Sequence, residues 1–219
     1  MNVFDIIGPI MIGPSSSHTA GAVRLGRVAW KLLGERPVKA EIELTGSFAE
    51  TYRGHGTDKA LTAGIMGMDS DDERIRSSPD IARENGLDIS FTETSIPGAH
   101  PNTARITLCG ESGRRVQVQG ASVGGGNILV TGVNGMAVSF TGQYNTILVL
   151  HQDKPGAIAA VTQFVASTGV NIGNFRLSRS HRGGEALMTI EVDGGIPDGL
   201  MDALRAIEMV QQAIFIRAM

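Results

Sequence analysis

The chain has 219 residues, enough for two domains that each bury a core of their own. Its formal net charge is -3, and it has no lysine- or arginine-rich run. Too few clustered cationic side chains are present to neutralise a phosphate backbone or an anionic membrane surface. Neither nucleic acid nor a membrane is therefore expected as a partner. Residues 1–5 lack signal-peptide character, and no apolar run approaches the ~18 residues of a membrane span, so we expect a cytoplasmic protein.

The first half of the chain predicts helices separated by one clear strand. A helix over residues 18–33 has its apolar side chains on one face, and one of the serines just before it is expected to cap it. Residues 38–44 alternate apolar and charged side chains, as a strand with one buried face does. A second helix is predicted to start after Asp58 as its possible cap and to run to Met68, and a third begins with Ser78 as its cap and Pro79 in its first position.

From residue 88 onward, apolar side chains recur at every second position in three segments, which predicts strands: at 89 and 91, at 104, 106 and 108, and at 116 and 118. Residues 110–113 form a predicted hairpin turn. Asn134 and Gly135 form a stronger one, since both residues tolerate the positive φ that such turns need. We therefore expect a first domain over residues 1–142, of class α+β with mostly antiparallel strands.

The remaining residues, 143–219, predict a smaller module. A strand at 146–150, a helix after the turn at 153–156, two strands joined by a turn at 182–184, a second helix and a last strand follow in that order. The order βαββαβ is the ferredoxin-like split motif. The whole chain is therefore expected to be an α+β protein of two domains.

Cys109 is the single cysteine of the chain. One thiol forms no disulfide within the chain, and a zinc or iron-sulfur site built from several thiolates would need a partner chain. Because Cys109 lies in an alternating apolar segment, we interpret it as a small buried residue of a strand.

Residues 13–19 (GPSSSHT) place several hydroxyls and unpaired backbone N–H groups at the start of the first predicted helix. The positive end of the helix dipole makes such a segment a receptor for a small carboxylate or phosphate. A serine-rich helix start is also an ordinary cap, and both interpretations stay open. The segment lacks the ending of a nucleotide-binding P-loop, and the glycine run at 124–126 lacks the dinucleotide spacing.

A second motif, residues 54–58 (GHGTD), follows the short segment 45–47 (TGS). His55 lies between two glycines, so a substrate can approach its ring, and an imidazole can act as acid or base near neutral pH. A turn histidine without a function is the alternative. Neither His18 nor His55 belongs to a zinc-peptidase motif, and no serine-hydrolase elbow is present.

The motifs GPSSSHT, GHGTD and HPNT (residues 100–103) occur in this order and together resemble the beta chains of iron-sulfur-dependent L-serine dehydratases. The resemblance spans the whole chain. It implies that L-serine is converted to pyruvate and ammonia by a hetero-oligomer, in which a separate alpha chain carries the cysteines for a [4Fe-4S] cluster. This chain would then ligate no metal itself, which agrees with its single cysteine, Cys109.

The resemblance also leads to roles for residues of the first domain. We expect His55 to transfer the substrate proton, with His18 as the alternative, because the glycines beside His55 allow close approach. Asp58 either orients His55 or caps the following helix. His100 either lines the same cleft or is a loop residue held extended before a proline. The predicted substrate-binding residues are Ser15, Ser16, Ser17, Thr19, Asp58 and His100.

Residues 151–156 (HQDKPG) and 169–172 (GVNI) resemble the ACT family of regulatory domains. That family binds amino acids beside a dimer interface, so the resemblance implies homodimerisation and a regulatory ligand, with L-serine as the leading candidate. The expected ligand contacts are Asp153, Asn171 and Ile172, with His151 as a further one. An ACT module used only for dimerisation is the alternative.

Two other classes of function stay open from the sequence. One is a stand-alone amino-acid-binding regulatory protein without catalytic activity, because the first domain also resembles the regulatory domains found beside ACT modules in some amino-acid dehydrogenases. The other is a single-chain metal-dependent lyase or hydrolase with His18, His55 and Asp58 as ligands. Tight serine binding by the chain alone favours the first class, and stoichiometric metal in the purified chain favours the second.

Overall fold

The computed structural model describes residues 11–13 and 15–218. The chain divides into two compact units between Asn134 and Gly135. Both units combine helices with strands, and the α+β class predicted from the sequence is confirmed. The division coincides with the predicted turn, where Asn134 and Gly135 have φ angles of 49° and 77°. The boundary expected after residue 142 lies one strand further along the chain. No helix in the described ranges is both long and apolar enough to cross a membrane.

The first unit places its helices before most of its strands. Its elements are a π-helical turn (Ser17–Gly21), α1 (Ala22–Leu33), β1 (Pro37–Thr45), α2 (Ser47–His55), α3 (Thr57–Ile65), a 3-10 turn (Glu73–Ser77), α4 (Ser78–Glu84), β2 (Asp88–Glu93), β3 (Thr103–Gly110), β4 (Arg115–Gly124) and β5 (Asn127–Val133). Within the unit the strands lie in the order β2-β1-β3-β4-β5. Among the described strands of this unit, β1 and β2 pair in parallel and the other neighbours are antiparallel, so the predicted preference for antiparallel strands is confirmed.

Helices α1 and α3 pack in backbone contact through two glycines. A Cβ atom at Gly64 would lie 2.1 Å from the carbonyl oxygen of Val23, and one at Gly26 would lie 2.6 Å from that of Leu61. A larger side chain at either position would force the helices apart. The contact fixes α3 on the buried helix α1, and with it the corner between α2 and α3 at which His55 lies.

Helix α2 differs from the turn that the sequence predicts around His55. The helix runs to His55 and ends at Gly56, whose left-handed φ of 72° is a common way to end a helix. Gly54 lies inside the helix, and glycine is a poor helix former, so the sequence gives only a weak helical signal there. His55 is therefore the last residue of a helix and is held more firmly than a turn residue.

Two helix starts also differ from the prediction. The expected helix over residues 18–33 opens with the π turn, in which the N–H of Gly21 donates to the carbonyl oxygen of Ser16 at 3.0 Å. Ser78, expected to cap α4, instead donates its hydroxyl hydrogen to the carbonyl oxygen of Lys59 at 2.7 Å. Ser78 is fully buried, so its hydroxyl needs such a partner, and the bond ties α4 to α3.

The second unit is built around one four-stranded antiparallel sheet. Its elements are β6 (Met136–Phe140), β7 (Asn145–Gln152), α5 (Ala157–Ser167), β8 (Ile172–Arg179), β9 (Glu185–Val192), α6 (Leu200–Arg205) and β10 (Val210–Ile216). The sheet has the order β10-β7-β9-β8 with antiparallel neighbours. From β7 onward the predicted order βαββαβ is confirmed. The core of the unit includes Val149, Val161, Met188 and Leu204.

Candidate active site

The π turn at the start of α1 carries His18 and has a serine-based cap. The hydroxyl oxygen of Ser15 accepts a hydrogen bond from the backbone N–H of His18 at 3.3 Å. Ser16 takes the cap position without a side-chain bond to the helix. At Gly21 a Cβ atom would lie 2.0 Å from Oγ of the buried Ser122, so the turn lies directly against β4. Single π turns inside helices occur frequently at functional sites.

Hydroxyl groups hold both ring nitrogens of His18. Nδ1 lies 3.3 Å from Oγ of Ser15, and Nε2 lies 3.2 Å from Oγ1 of Thr51 and 3.4 Å from Oγ of Ser47. Thr51 donates its own hydroxyl hydrogen to the carbonyl oxygen of Ser47 at 2.7 Å, so its oxygen accepts from Nε2–H. We assign the proton to Nε2 from this network, which leaves Nδ1 to accept from Ser15. His18 is thereby fixed in orientation.

His55 lies beside His18 and is more open. The two ring centroids are 4.8 Å apart with the planes tilted by 33°. The His55 side chain is exposed, and no other described residue makes a hydrogen bond to its ring. A Cβ atom at Gly54 or Gly56 would meet nothing within 4 Å, so the space around the ring is open. The structure therefore brings together the two histidines predicted from separate motifs.

The surroundings of His18 favour its neutral form. Burial lowers the pKa of His18 below its ordinary value of 6.5, the neighbouring His55 lowers the pKa further, and a contact with Ser47 partly opposes both effects. His18 is therefore a neutral imidazole at pH 7.

The influence of His55 on His18 gives a direct test. Replacing His55 with Gln removes the neighbouring imidazole that lowers the pKa of His18, so this pKa should rise toward its ordinary value while remaining below it because of burial. NMR titration of ring-labelled histidine in the two proteins measures the shift. An unchanged or lower pKa of His18 in the variant would contradict the contact between the two rings.

A pocket of about 340 Å³ opens at His55. Two residues of the serine-rich motif, Gly13 and Thr19, form part of its wall, so the first and second motifs share one pocket. The remaining lining residues are Ile12, Arg53, Gly54, Gly56, Lys59, Ile75 and Arg76. The pocket is large enough for a small amino acid, and it places such a ligand beside the exposed ring of His55.

Asp58 makes neither of the two interactions predicted for it. It lies in the first turn of α3, whose cap position is Gly56, and it makes no hydrogen bond to His55. Its Oδ1 atom is buried and has no hydrogen-bond partner among the described residues. Asp58 lines a different pocket, together with Thr62 and Phe91. A role for Asp58 in substrate binding stays a prediction.

The third motif connects elements around the site. The carbonyl oxygen of Pro101 accepts from the N–H of Phe48 at 3.2 Å, and that of Asn102 accepts from the N–H of Ser122 at 3.0 Å. A Cβ atom at Gly46 would lie 2.7 Å from Cα of Pro101, so this loop packs tightly on the start of α2. His100 itself is exposed, and its Nδ1 accepts from the backbone N–H of Asn102 at 3.1 Å.

Sequence reasoning missed the residues that support the histidines. Ser47 and Thr51 contact His18 from α2, and their spacing of one helical turn becomes informative only once residues 47–55 are recognised as a helix. Arg53, Lys59 and Arg76 reach the pocket from three different elements. No local pattern in the sequence predicts that convergence.

The predicted ligand residues of the second unit are engaged with their own module. The carboxylate of Asp153 accepts from the N–H of Gly183 at 3.0 Å and from Arg179 at 3.2 Å, and these bonds lower the pKa of Asp153. Nδ2 of Asn171 donates to Asp193 at 2.6 Å.

His151 is buried with one nitrogen unpaired. Its Nδ1–H donates to the carbonyl oxygen of Gln152 at 2.8 Å, while Nε2 has no partner among the described residues.

Strand register separates these ligand residues within one copy. His151 in β7 lies opposite Ala186 at the start of β9, whereas Ile172 in β8 lies opposite Val192 at the end of β9. The loop after β7 and the loop before β8 are therefore at opposite ends of the sheet, roughly 20 Å apart at ~3.3 Å per residue. Asp153 and Asn171 of one copy do not contact the same small ligand, and a shared ligand would need two copies.

The chain offers no cluster of metal ligands in its described ranges. No group of three or more His, Cys, Asp or Glu residues is placed to hold a metal ion there. Cys109, the single cysteine, is half-buried on β3, less buried than expected. The described side chains therefore do not fit a [4Fe-4S] cluster, nor a metal bound jointly by His18, His55 and Asp58.

Comparisons with known proteins agree with the three motifs. The family model for the serine dehydratase beta chain matches residues 2–132, and that for the ACT domain matches residues 145–208. The probable L-serine dehydratase beta chain of Bacillus subtilis (strain 168) is 48% identical over 212 residues, which is 96% of each chain. The L-serine dehydratase beta chain of Peptoniphilus asaccharolyticus is 36% identical over 216 residues, covering 98% of this chain and 97% of that one.

A more distant similarity concerns a dehydrogenase. The D-3-phosphoglycerate dehydrogenase of Synechocystis sp. is 24% identical over 200 residues, which is 90% of this chain but 35% of the dehydrogenase. The family match over residues 2–132 and the two full-length relatives are closer. The chain therefore belongs to the serine dehydratase beta chain family and carries a C-terminal ACT domain.

Proposed function

We propose that this chain is the beta subunit of an L-serine dehydratase, which converts L-serine to pyruvate and ammonia together with an alpha chain. The observation that carries the proposal is the contact of His18 with His55, whose ring lies in the wall of a small pocket. Residues from two separate motifs form this pair, and the chain belongs to the serine dehydratase beta chain family.

The reaction needs a base for the proton on Cα of serine. In our proposal an unprotonated ring nitrogen of His55 takes that proton, a Cα–Cβ double bond forms, and the bond from Cβ to the hydroxyl oxygen breaks. The product 2-aminoacrylate tautomerises to an imine, and water hydrolyses the imine to pyruvate and ammonia. His18, neutral and held by Ser15 and Thr51, fixes the position of His55 by packing against it.

The departing hydroxyl needs an electrophile, and the described residues of this chain include no group of ligands for a metal ion that could serve as one. We propose that a [4Fe-4S] cluster bound by cysteines of the alpha chain is that electrophile, since Cys109 is the only thiol here. The serine-rich segment lies at the substrate end of the site, with Thr19 in the pocket wall and Ser15 committed to His18.

We further propose that the ACT domain joins two copies of the chain. Its edge strand β8 exposes Leu177, and helix α5 exposes Ile158 and Phe164, so apolar surface is available for self-association. Two copies would also allow Asp153 of one and Asn171 of the other to approach the same L-serine molecule. The buried Nε2 of His151 has no hydrogen-bond partner among the described residues, so it leaves a free acceptor near the loop after β7 that carries Asp153.

A stand-alone amino-acid-binding regulatory protein is the second candidate. The observation that favours it is the similarity to about a third of a D-3-phosphoglycerate dehydrogenase, where the matched part is one portion of a larger chain. Calorimetric titration of L-serine into the isolated chain separates the two. Tight binding of L-serine in the absence of an alpha chain favours the regulatory protein. Weak binding favours an active site that is complete only when the alpha chain is bound.

Purification under anaerobic conditions tests the proposed activity. The chain purified alone should be colourless and should form no pyruvate from L-serine. Purified together with its cysteine-rich alpha chain, it should form pyruvate and ammonia in equal amounts. Deamination of L-serine by this chain alone would overturn the proposal, and so would an inactive complex that retains its iron and sulfide.

A further inference from the structure

Three cationic side chains converge on the pocket at His55. Arg53 comes from the end of α2, Lys59 from the first turn of α3, and Arg76 from the 3-10 turn before α4. All three are exposed, and none makes an ion pair with a residue that the structure describes. No acidic side chain is among the described residues of the pocket wall. The pocket is therefore positively charged.

These three cations differ from several arginines elsewhere in the first unit, which have a carboxylate beside them. The contacts of Arg53 with described residues are neutral, since its Nε donates to the hydroxyl of Tyr52 at 3.1 Å and its guanidinium lies 5.4 Å from that ring. The arginines beside a carboxylate include Arg27 with Asp69, Arg74 with Asp72, and Arg83 with Asp80.

Unpaired like charges repel, and an anion placed among them relieves that repulsion. The N-terminus of α3 adds the positive end of a helix dipole at the same place. Arginine and lysine are the side chains that bind carboxylates most strongly, through charge-assisted hydrogen bonds. The pocket is therefore built for a small carboxylate.

We propose that Arg53, Lys59 and Arg76 bind the carboxylate of the amino-acid substrate. The inference rests on the proposed function, because it assigns this carboxylate to L-serine. The carboxylate carbon is bonded to Cα, so a carboxylate held in this pocket brings the Cα–H bond to the exposed ring of His55. The described residues of the wall include no carboxylate to pair with the substrate ammonium, so we expect the ammonium to face out of the pocket toward the alpha chain.

Steady-state kinetics of the complex with the alpha chain tests this assignment. Arg76→Gln and Lys59→Gln should each raise KM for L-serine by about tenfold or more and change kcat by less than about threefold, since they remove binding common to ground state and transition state. Arg74→Gln is the matched control. It removes the same charge from the same 3-10 turn, but Arg74 faces Asp72 and does not line the pocket, so KM should change by less than about twofold.

A substrate analogue separates carboxylate binding from a general effect of charge. L-Serinamide has no carboxylate, so Arg76→Gln should leave its kinetic constants unchanged while it raises KM for L-serine. An equal effect on both compounds, or an equal effect of Arg74→Gln, would overturn the inference.

The pocket cations could instead bind acidic residues on the surface of the alpha chain, and a third measurement, the affinity of the two chains for each other, tests this alternative. If Arg76→Gln weakens association of the two chains and KM for L-serine is normal at saturating alpha chain, the cations bind the partner and the inference is wrong. These outcomes presuppose that the wild-type complex deaminates L-serine. A wild-type complex without that activity rejects the proposed function itself, whatever the variants do.

Discussion

Replacing His55 with Gln in the assembled enzyme is expected to lower kcat for L-serine by more than about 10²-fold, because glutamine cannot accept the proton from Cα and general acid-base catalysis contributes about 10² to 10⁴. KM should change little, since His55 is assigned to the chemical step. Pyruvate formation at saturating L-serine measures the loss. His55 is exposed, so the variant should fold normally.

His181→Gln is the control for this experiment. His181 is an exposed histidine of the second unit, at the turn between β8 and β9, and its replacement should leave kcat within about twofold. A loss below about tenfold in His55→Gln would move the base to His18 or to the alpha chain. The same loss in both variants would point to a defect of assembly and would remove the support for His55.

Replacing Gly64 with Ala is expected to destabilise the first unit by about 1–3 kcal/mol. The new Cβ atom would lie 2.1 Å from the carbonyl oxygen of Val23, and neither backbone can move without disturbing the packing of α1 on α3. This strain outweighs the gain of roughly 1 kcal/mol that alanine brings inside a helix. Urea unfolding followed by Trp30 fluorescence measures the effect, because Trp30 is the only tryptophan and lies in α1.

Gly54→Ala makes the same chemical change where nothing lies within 4 Å of the new atom. Gly54 is inside α2 and has no positive φ, so alanine should stabilise the unit by up to about 1 kcal/mol. The two variants are therefore expected to shift stability in opposite directions. A Gly64→Ala protein as stable as Gly54→Ala would mean that α1 and α3 are not in backbone contact.

The periodicity of apolar residues predicted much of the fold, because a strand or helix that buries one face needs apolar side chains at regular intervals. The alternation in residues 38–44 predicted β1, and the order of elements in residues 143–219 predicted the sheet of the second unit. The sequence did not predict helix α2, because the glycines near its end are poor helix formers. The helix is short, and its stability comes from packing of the buried residues Phe48 and Ala49.

The site was predicted in part. The motifs indicated His18 and His55 separately, but their contact depends on how α2 packs against the π turn, which no local pattern shows. The cations of the pocket come from three elements for the same reason. In the second unit, the sequence suggested that Asp153 and Asn171 contact one ligand. Strand register places the two residues of one copy at opposite ends of the sheet.

In the proposed function, this chain completes an active site whose other half is on the alpha chain. Pyruvate formation from L-serine, measured anaerobically at a fixed concentration of alpha chain while this chain is added stepwise, tests it most directly. We predict no activity without this chain, a rise in proportion to the amount added, and saturation at a fixed ratio of the two chains. Full activity of the alpha chain alone, or a rate that is independent of this chain, would contradict the account.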